Sequence, residues 1–327
     1  MARRRVEEEV ERLNCLREDG PGPATTAALR KALADRVGLV AAKAAKIAAE
    51  LRVEELIPDL VAAFERFFEK PVERDPQCWG KNAIAKALTE LDYRQSAPFL
   101  RGARHVQMEP VWGGQEDTAS TLRGICVLAL VACSDVRRED VLRGLVEALT
   151  EKAQTVRLEA VRAIAEMGGD EAPLLLRLKA RCGDAEPPVA GQVFDSLLRL
   201  EGREAIAFVA AFLESGTADV QAEAALALGA SRLPEAEEAL EAAWGATRDP
   251  DLRYALARAI SSSRQPRAFD FLLDLVKNGR AADASMALEA LEIHRESPEI
   301  WRRVEETVEE AGSGVRQAFQ NLRASRG

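Results

Sequence analysis

The chain has 327 residues, 47% of them hydrophobic and 30% charged, which suffices for one large or two ordinary packed cores and excludes a disordered or fibrous protein. Aromatic residues make up only 5%, and small and branched aliphatics dominate, a composition that favours close helix packing over a β-sandwich. With 45 basic against 54 acidic residues, the net charge of −9 gives no general attraction to phosphate backbones or anionic lipid.

Residues 1–36 read as N-terminal capping helices, with Arg3, Arg4 and Arg5 followed by Glu7, Glu8, Glu9 and Glu11 in a solvated, self-paired pattern. No apolar run follows these arginines, and no stretch is apolar for long enough to span a bilayer, so a soluble, cytoplasmic protein is expected. The five cysteines, Cys15, Cys78, Cys126, Cys133 and Cys182, are odd in number and widely spaced. They read as buried thiols of a reducing compartment. Arginine outnumbers lysine 36 to 9, which points to a GC-rich bacterial genome.

From residue 37 onward the chain is internally repetitive. The segments TVRLEAVRAIAEMG, PVAGQVFDSLLRLEG, DVQAEAALALGASR and DLRYALARAISSSR align on Val156, Val189, Val220 and Leu252, at spacings of 33, 31 and 32. The same register finds Val40, Trp79 and Leu122 upstream and Ala282 and Val315 downstream, nine first helices in all. Within each, apolar residues fall at i, i+4, i+5 and i+8, the stripe of an amphipathic helix. A second amphipathic run follows, as in APLLLRLKARC, EAIAFVAAFLES, RAFDFLLDLVKNG and PEIWRRVEETVEEAG. Pro98, Pro173, Pro234, Pro266 and Pro298 mark the starts of second helices, where a missing N–H costs least. Asp75, Asp117, Asp219 and Asp249 precede first helices as N-caps or first-turn anions.

The Val/Leu-Arg-x-x-Ala heads Val156-Arg157, Leu122-Arg123, Leu252-Arg253 and Val315-Arg316, the first three after an Asp or Thr, resemble the HEAT-repeat family, including its phycobilisome-lyase type. The resemblance runs from about Val37 to Leu322. It implies an all-α, right-handed α-α superhelix, a solenoid of about eight to nine antiparallel helix pairs whose second helices line a concave face. Residues 37–152 are irregular repeats and 153–312 regular repeats of about 32 residues, closed by a capping half-repeat at 313–327.

Spacings of 39 and 43 at the start of the array reveal two insertions. The smaller, EKPVERDPQ at 69–77, reads as a connector. The larger, RGARHVQMEPVWGGQEDT at 101–118, lacks helical periodicity, and loops of this length in a compact array are usually functional. Arg101, Arg104 and His105 offer a cationic cluster and Trp112 a flat apolar face. Gly113 and Gly114 permit backbone conformations that expose N–H groups. Equally, Val111 and Trp112 could plug a gap between irregular repeats while the arginines pair with local carboxylates. Glu109, Glu116 and Asp117 could suit a hard cation on oxygen-ligand grounds, but three carboxylates in a polar loop more often cap or stay solvated.

His105 and His294 lie far apart in repeat order, without a neighbouring serine or cysteine in a nucleophile elbow. No assembled nucleophilic site is expected. There is no Cys-x-x-Cys or His-x-x-x-His spacing, so no metal and no cofactor is expected. HEAT-like deoxyhypusine hydroxylases carry repeated His-Glu pairs; here the pairs are His105-Val106 and His294-Arg295, and that activity does not transfer. Trp79 sits at the anchor position of a first helix and is expected in the core. Trp244 and Trp301 fall on second helices, where each suits either the core or an exposed anchor for a partner.

The function these features favour is a non-enzymatic protein-protein interaction scaffold or adaptor, binding through its concave face and the 101–118 insertion. Residues 201–250 carry three basic and ten acidic residues, so a protein or peptide bound there should be basic. The family resemblance also admits a HEAT-like DNA glycosylase or nucleic-acid binder, which the charge disfavours, and a bilin lyase-like chaperone.

Overall fold

The computed structural model describes residues 2–324 and divides into two compact units, Met1–Met167 and Gly168–Gly327. In the first, α1 (Ala2–Asp19) and α2 (Pro23–Leu33) precede α3 (Gly38–Glu50), α4 (Ile57–Arg66) and the single turn α5 (Pro71–Arg74). There follow α6 (Trp79–Glu90), α7 (Ser96–Ala103), the strands β1 (Met108–Val111) and β2 (Gly114–Asp117), α8 (Ser120–Ala129), α9 (Arg138–Ala148) and α10 (Gln154–Met167). The side chains of Arg3, Arg4 and Arg5 lie outside the described residues.

The second unit runs α11 (Glu171–Cys182), α12 (Pro187–Glu201), α13 (Arg203–Ser215), α14 (Ala218–Ser231), α15 (Ala236–Ala246) and α16 (Pro250–Ser263). It continues through α17 (Pro266–Asn278), α18 (Ala281–Leu291), α19 (Pro298–Glu310) and α20 (Ser313–Ala324). All nine first helices expected from the repeat are present, as α3, α6, α8, α10, α12, α14, α16, α18 and α20.

Within each unit the first helices stack on one another, α3 on α6 and α6 on α8, and again α12 on α14 and α14 on α16. Small residues allow the close approach. A Cβ at Gly80 would lie 3.1 Å from the Cα of Gly38, and one at Gly229 would overlap the Ala259 carbonyl. The first helices from α3 to α18 are buried on most of their circumference, whereas α20 buries little beyond Phe319 and the second helices bury a single face.

The buried pattern fixes the repeat register. Residues 40, 41, 44, 45, 47 and 48 of α3 correspond to 80, 81, 84, 85, 87 and 88 of α6 and to 122, 123, 126, 127 and 129 of α8 with Leu130 of the turn that follows it. Gly80, not Trp79, is therefore the counterpart of Val40, and Asp283, not Ala282, heads α18. A shift of one residue turns a helix position by about 100°. It moves Trp79 out of the expected core to a surface position, 52% exposed, in register with the exposed Leu39.

The same register aligns Lys81 with Arg123, Arg157 and Arg253, all buried. Each reaches back six residues. Lys81 Nζ meets the Asp75 carboxylate at 2.9 Å and Arg123 that of Asp117 at 2.6 Å. Arg157 donates to the Glu151 carbonyl at 2.8 Å and Arg253 to the Thr247 carbonyl at 3.1 Å. Two of the arginines also reach forward to the next repeat, Arg123 to Glu151 at 3.3 Å and Arg253 to Asp283 at 2.6 Å. This ladder satisfies the polar backbone at each turn and pins neighbouring repeats together. Asp249 alone among the four expected aspartates is a regular N-cap, accepting from the N–H groups of Asp251 and Leu252.

Two further expectations are corrected. Of the five cysteines, only Cys78 and Cys126 are buried; Cys133 is half-buried, and Cys15 and Cys182 are exposed, because their helices are amphipathic and these positions fall off the core stripe. The 69–77 segment contains the turn α5 and a 3-10 turn at Pro76–Cys78, with Gln77 and Cys78 both in the left-handed region, at φ 57° and 55°.

Candidate functional site

The two insertions of the irregular repeats meet in space. The 101–118 segment is not a loop. Its first three residues finish α7, and residues 108–117 form an antiparallel hairpin in the register Met108↔Asp117 to Val111↔Gly114. The two-residue turn is Trp112-Gly113, with Gly113 at φ 89°, a conformation that favours glycine. Trp112 projects from the tip fully exposed.

Polar side chains, rather than an apolar face, dock the hairpin. The buried Glu109 carboxylate accepts from Gln77 N at 2.6 Å, Gln107 Nε2 at 2.6 Å and Thr118 Oγ1 at 2.7 Å. Burial opposes its ionisation, but these three donors outweigh it and hold the carboxyl below the usual glutamate range. Gln107 Nε2 also donates to the Asp75 carbonyl at 2.9 Å, tying the hairpin to the Asp75–Lys81 pair. Asp75 in turn accepts from Gly80 N at 2.6 Å and Lys81 N at 3.0 Å, capping α6 from outside the helix. Lys81 Nζ donates to the Phe67 carbonyl as well, at 3.3 Å. The strained backbone at Gln77 and Cys78 is thus fixed on one side by Glu109 and on the other by the Asp75 cap.

The carboxylates of the supposed cation site do not converge: Glu109 and Asp117 are engaged by protein donors, and Glu116 faces solvent. Asp117 accepts from Gln107 N at 3.0 Å and Ala119 N at 3.1 Å and pairs with Arg123; despite burial, these donors keep its carboxyl below the usual range. Glu116 faces Glu109 across the hairpin and is exposed. Among the described residues no group of three or more His, Cys, Asp or Glu is placed to hold a metal ion.

Arg101 and His105 converge on the Phe68 ring, the guanidinium 4.2 Å above its centroid and the imidazole edge-on at 4.8 Å. Arg101 also pairs with Glu65. His105 Nε2 lies 3.0 Å from Gln107 Oε1, and burial lowers its proton affinity. The Cys78 thiol donates to the same Gln107 oxygen at 3.3 Å, and burial pushes its pKa up to about 11. A histidine and a cysteine share an acceptor here, yet both are held in their neutral forms, a poor basis for nucleophilic chemistry. Arg104 points away from this cluster, lining a separate hollow of about 770 Å³ with Leu100, Val127 and Lys152.

Beside the hairpin, Trp79 Nε1 donates to Gln77 Oε1 at 3.0 Å, and the indole with Leu39 floors a hollow of about 760 Å³. Arg36, Lys70, Glu73 and Arg74 rim it, Lys70 paired with Glu73 at 3.6 Å and Arg74 with Glu69 at 2.8 Å. Val111 extends from the same hairpin face as Glu109, since strand side chains alternate. Leu39, Val72, Trp79, Val106, Met108, Val111 and Trp112 are all exposed large apolar residues, Leu39 and Trp79 at the starts of α3 and α6, Val72 on α5 and the other four on the 101–118 segment. Exposed apolar side chains gathered on neighbouring elements mark a candidate interaction surface. Sequence reasoning missed Trp79 through the one-residue register slip; its pairing with Leu39 in the same exposed stripe was the available signal.

The second unit holds the other two tryptophans. Trp244 is buried, edge-on to Phe271 at 6.1 Å and beneath Arg253 at 5.0 Å. Trp301 is half-buried against Phe319 at 5.7 Å. Neither is the exposed anchor considered from the sequence.

Residues 206–292 match the family of HEAT repeats, in keeping with the all-α helical-repeat fold of the chain. Among solved structures it is similar to human deoxyhypusine hydroxylase in complex with glycerol, at 21% identity over 77% of this chain and 88% of that chain, with a TM-score of 0.31. It is also similar to two engineered proteins. One is 18% identical over 98% of this chain and 95% of that chain, TM-score 0.34; the other is 17% identical over 89% and 96%, TM-score 0.20. No curated protein matches the sequence.

Proposed function

We propose that this protein is a non-enzymatic, cytoplasmic adaptor that binds a protein partner at the end of its first unit where α3, α6 and the hairpin meet. The observation that carries the reading is the pair of exposed tryptophans, Trp112 at 103% and Trp79 at 52% relative exposure, set among five further exposed apolar side chains. Large aromatics that are costly to leave in water and rigidly presented are the usual anchors of protein interfaces. The Glu109, Gln107 and Asp75 network supports the reading by holding the hairpin base in one geometry, which lowers the ordering cost of binding. The non-enzymatic role is supported by His105, Cys78 and Glu109, each already occupied by protein hydrogen bonds.

The test is affinity capture from native extract, followed by reconstitution of the captured complex from purified components. The Trp79→Ala and Trp112→Ala variants should each weaken the reconstituted complex by about tenfold or more. A partner that binds both variants as tightly as the wild type would place recognition elsewhere, and failure to reconstitute any complex would remove the adaptor reading.

A further inference from the structure

The surface bearing Trp79 also has a definite electrostatic character. Helices α3 and α6 together carry four lysines, Lys43, Lys46, Lys81 and Lys86, and only two acids, Glu50 and Glu90, each the last residue of its helix. Lys81 is consumed in the core, and the other three lie on the solvent-facing stripes. In a chain of net charge −9 with nine lysines, a third of them thus stand on one face of two adjoining helices. Lys43, Lys86 and the neighbouring Arg36 have no ion-pair partner among the described residues, and Lys46 is held only loosely by Glu50 at 3.8 Å. The N-termini of both helices open on the hollow floored by Trp79 and Leu39, that of α6 already capped by the buried Asp75 carboxylate, so the surface charge of the face comes from its side chains. Because Gly38 and Gly80 touch, the residues that follow and precede them, Leu39 and Trp79, sit side by side at the top of the cationic stripe.

Resting on the adaptor reading, we propose that the α3–α6 face binds an acidic linear segment of the partner protein. Trp79 and Leu39 take a bulky apolar side chain of that segment, and Arg36, Lys43, Lys46 and Lys86 pair with the carboxylates around it. A peptide is favoured over nucleic acid because the patch is short: Glu50 and Glu90 close its far end, and a polyphosphate would run beyond it into a chain that is acidic overall.

The experiment selects from a randomised linear peptide display library on the purified full-length protein, and then measures synthetic winners by fluorescence anisotropy. The expected pool has a bulky apolar residue flanked by Asp and Glu, and its winners bind less tightly as salt rises. Trp79→Ala and Lys43→Glu/Lys86→Glu should each reduce their affinity by about tenfold or more, with the melting temperature unchanged because all three residues are exposed or half-exposed, while Trp112→Ala has no effect. A basic or neutral pool, no enrichment, or winners indifferent to both variants would overturn the proposal. Binding of a labelled single-stranded or duplex oligonucleotide that is lost in Lys43→Glu/Lys86→Glu would overturn it in favour of nucleic acid. A natural partner that is sensitive to Trp112→Ala but not to Trp79→Ala would overturn it while leaving the adaptor reading intact.

Discussion

Replacing Lys81 by methionine removes one half of a fully buried ion pair and leaves the other. The side chains of Lys81 and Asp75 are both 0% exposed, and the ammonium lies 2.9 Å from the carboxylate. Deleting one partner of such a pair costs about 3–5 kcal/mol, because the remaining charge stays out of water. Asp75 would keep its N–H donors from Gly80 and Lys81, which places the cost near the lower bound, about 3 kcal/mol. At about 1.4 kcal/mol per tenfold, local opening should become roughly a hundredfold more frequent. Since Gln107 bonds the Asp75 carbonyl and Glu109 bonds Gln77, the loosening should spread to the hairpin. Native-state hydrogen exchange read by mass spectrometry would report it as faster exchange in peptides covering 71–90 and 105–118, with the helices of the second unit unchanged. The double variant Lys81→Met/Asp75→Asn should recover most of the loss, since a neutral acceptor needs no cation. Exchange within about threefold of wild type in Lys81→Met, or a double variant weaker than the single, would refute the reasoning.

Protonation of Glu109 should release the hairpin. Its folded-state proton affinity is lowered, so its contribution is full above the ordinary glutamate value of 4.5 and disappears as pH falls through its depressed folded value; Glu109→Gln should abolish this acid step in hairpin exchange and cost about 1–3 kcal/mol at neutral pH. His294 is buried, with Nε2 2.9 Å from the Ser261 carbonyl, and its pKa is lowered from 6.5, first by burial. The unfolded chain therefore takes up the proton first, and the α16–α18 region should lose stability as pH drops below about 6.5, a dependence that a His294→Gln variant should lack in urea titrations at several pH values. Gly229→Ala should destabilise the second unit by about 1–3 kcal/mol in urea titration, because the new methyl meets backbone at Ala259 and cannot turn aside. Phe194→Asp, placing a charge at a fully buried site, should unfold the second unit in far-ultraviolet circular dichroism melts before the first is affected.

The repeat was legible because it is written in apolar spacing. Of the four best-aligned heads, Val156, Val189 and Leu252 are buried in the core, and Val220 is half-buried at the edge of the same stripe. Register failed where small residues make neighbouring positions equivalent by composition. At Trp79-Gly80 and at Ala282-Asp283 the true head is a glycine or an aspartate, and hydrophobicity pointed to the residue before it. Leu158, apolar but two residues past the Val156 head, is half-exposed because it lies on the open stripe of α10. The hairpin escaped for a different reason. Its strands, MEPV and GQED, have little β-propensity and no apolar face, and its position is set by the hydrogen bonds of Gln107, Glu109 and Thr118. Those contacts are long-range, and no local pattern announces them.

The six-residue reach of the head cations has an architectural corollary. Lys81 and Arg123 each seize an aspartate in the last three residues of an insertion, Asp75 in one and Asp117 in the other. Whatever length of chain precedes such an anchor, the helix after it begins at the same place in the stack. The array therefore tolerates foreign text between its sentences, provided the closing bracket is kept. An engineer could exchange the stretch between Pro110 and Gln115 for another two-stranded graft, keeping Gln107, Glu109, Asp117 and Thr118, and present a different recognition element on an unaltered frame.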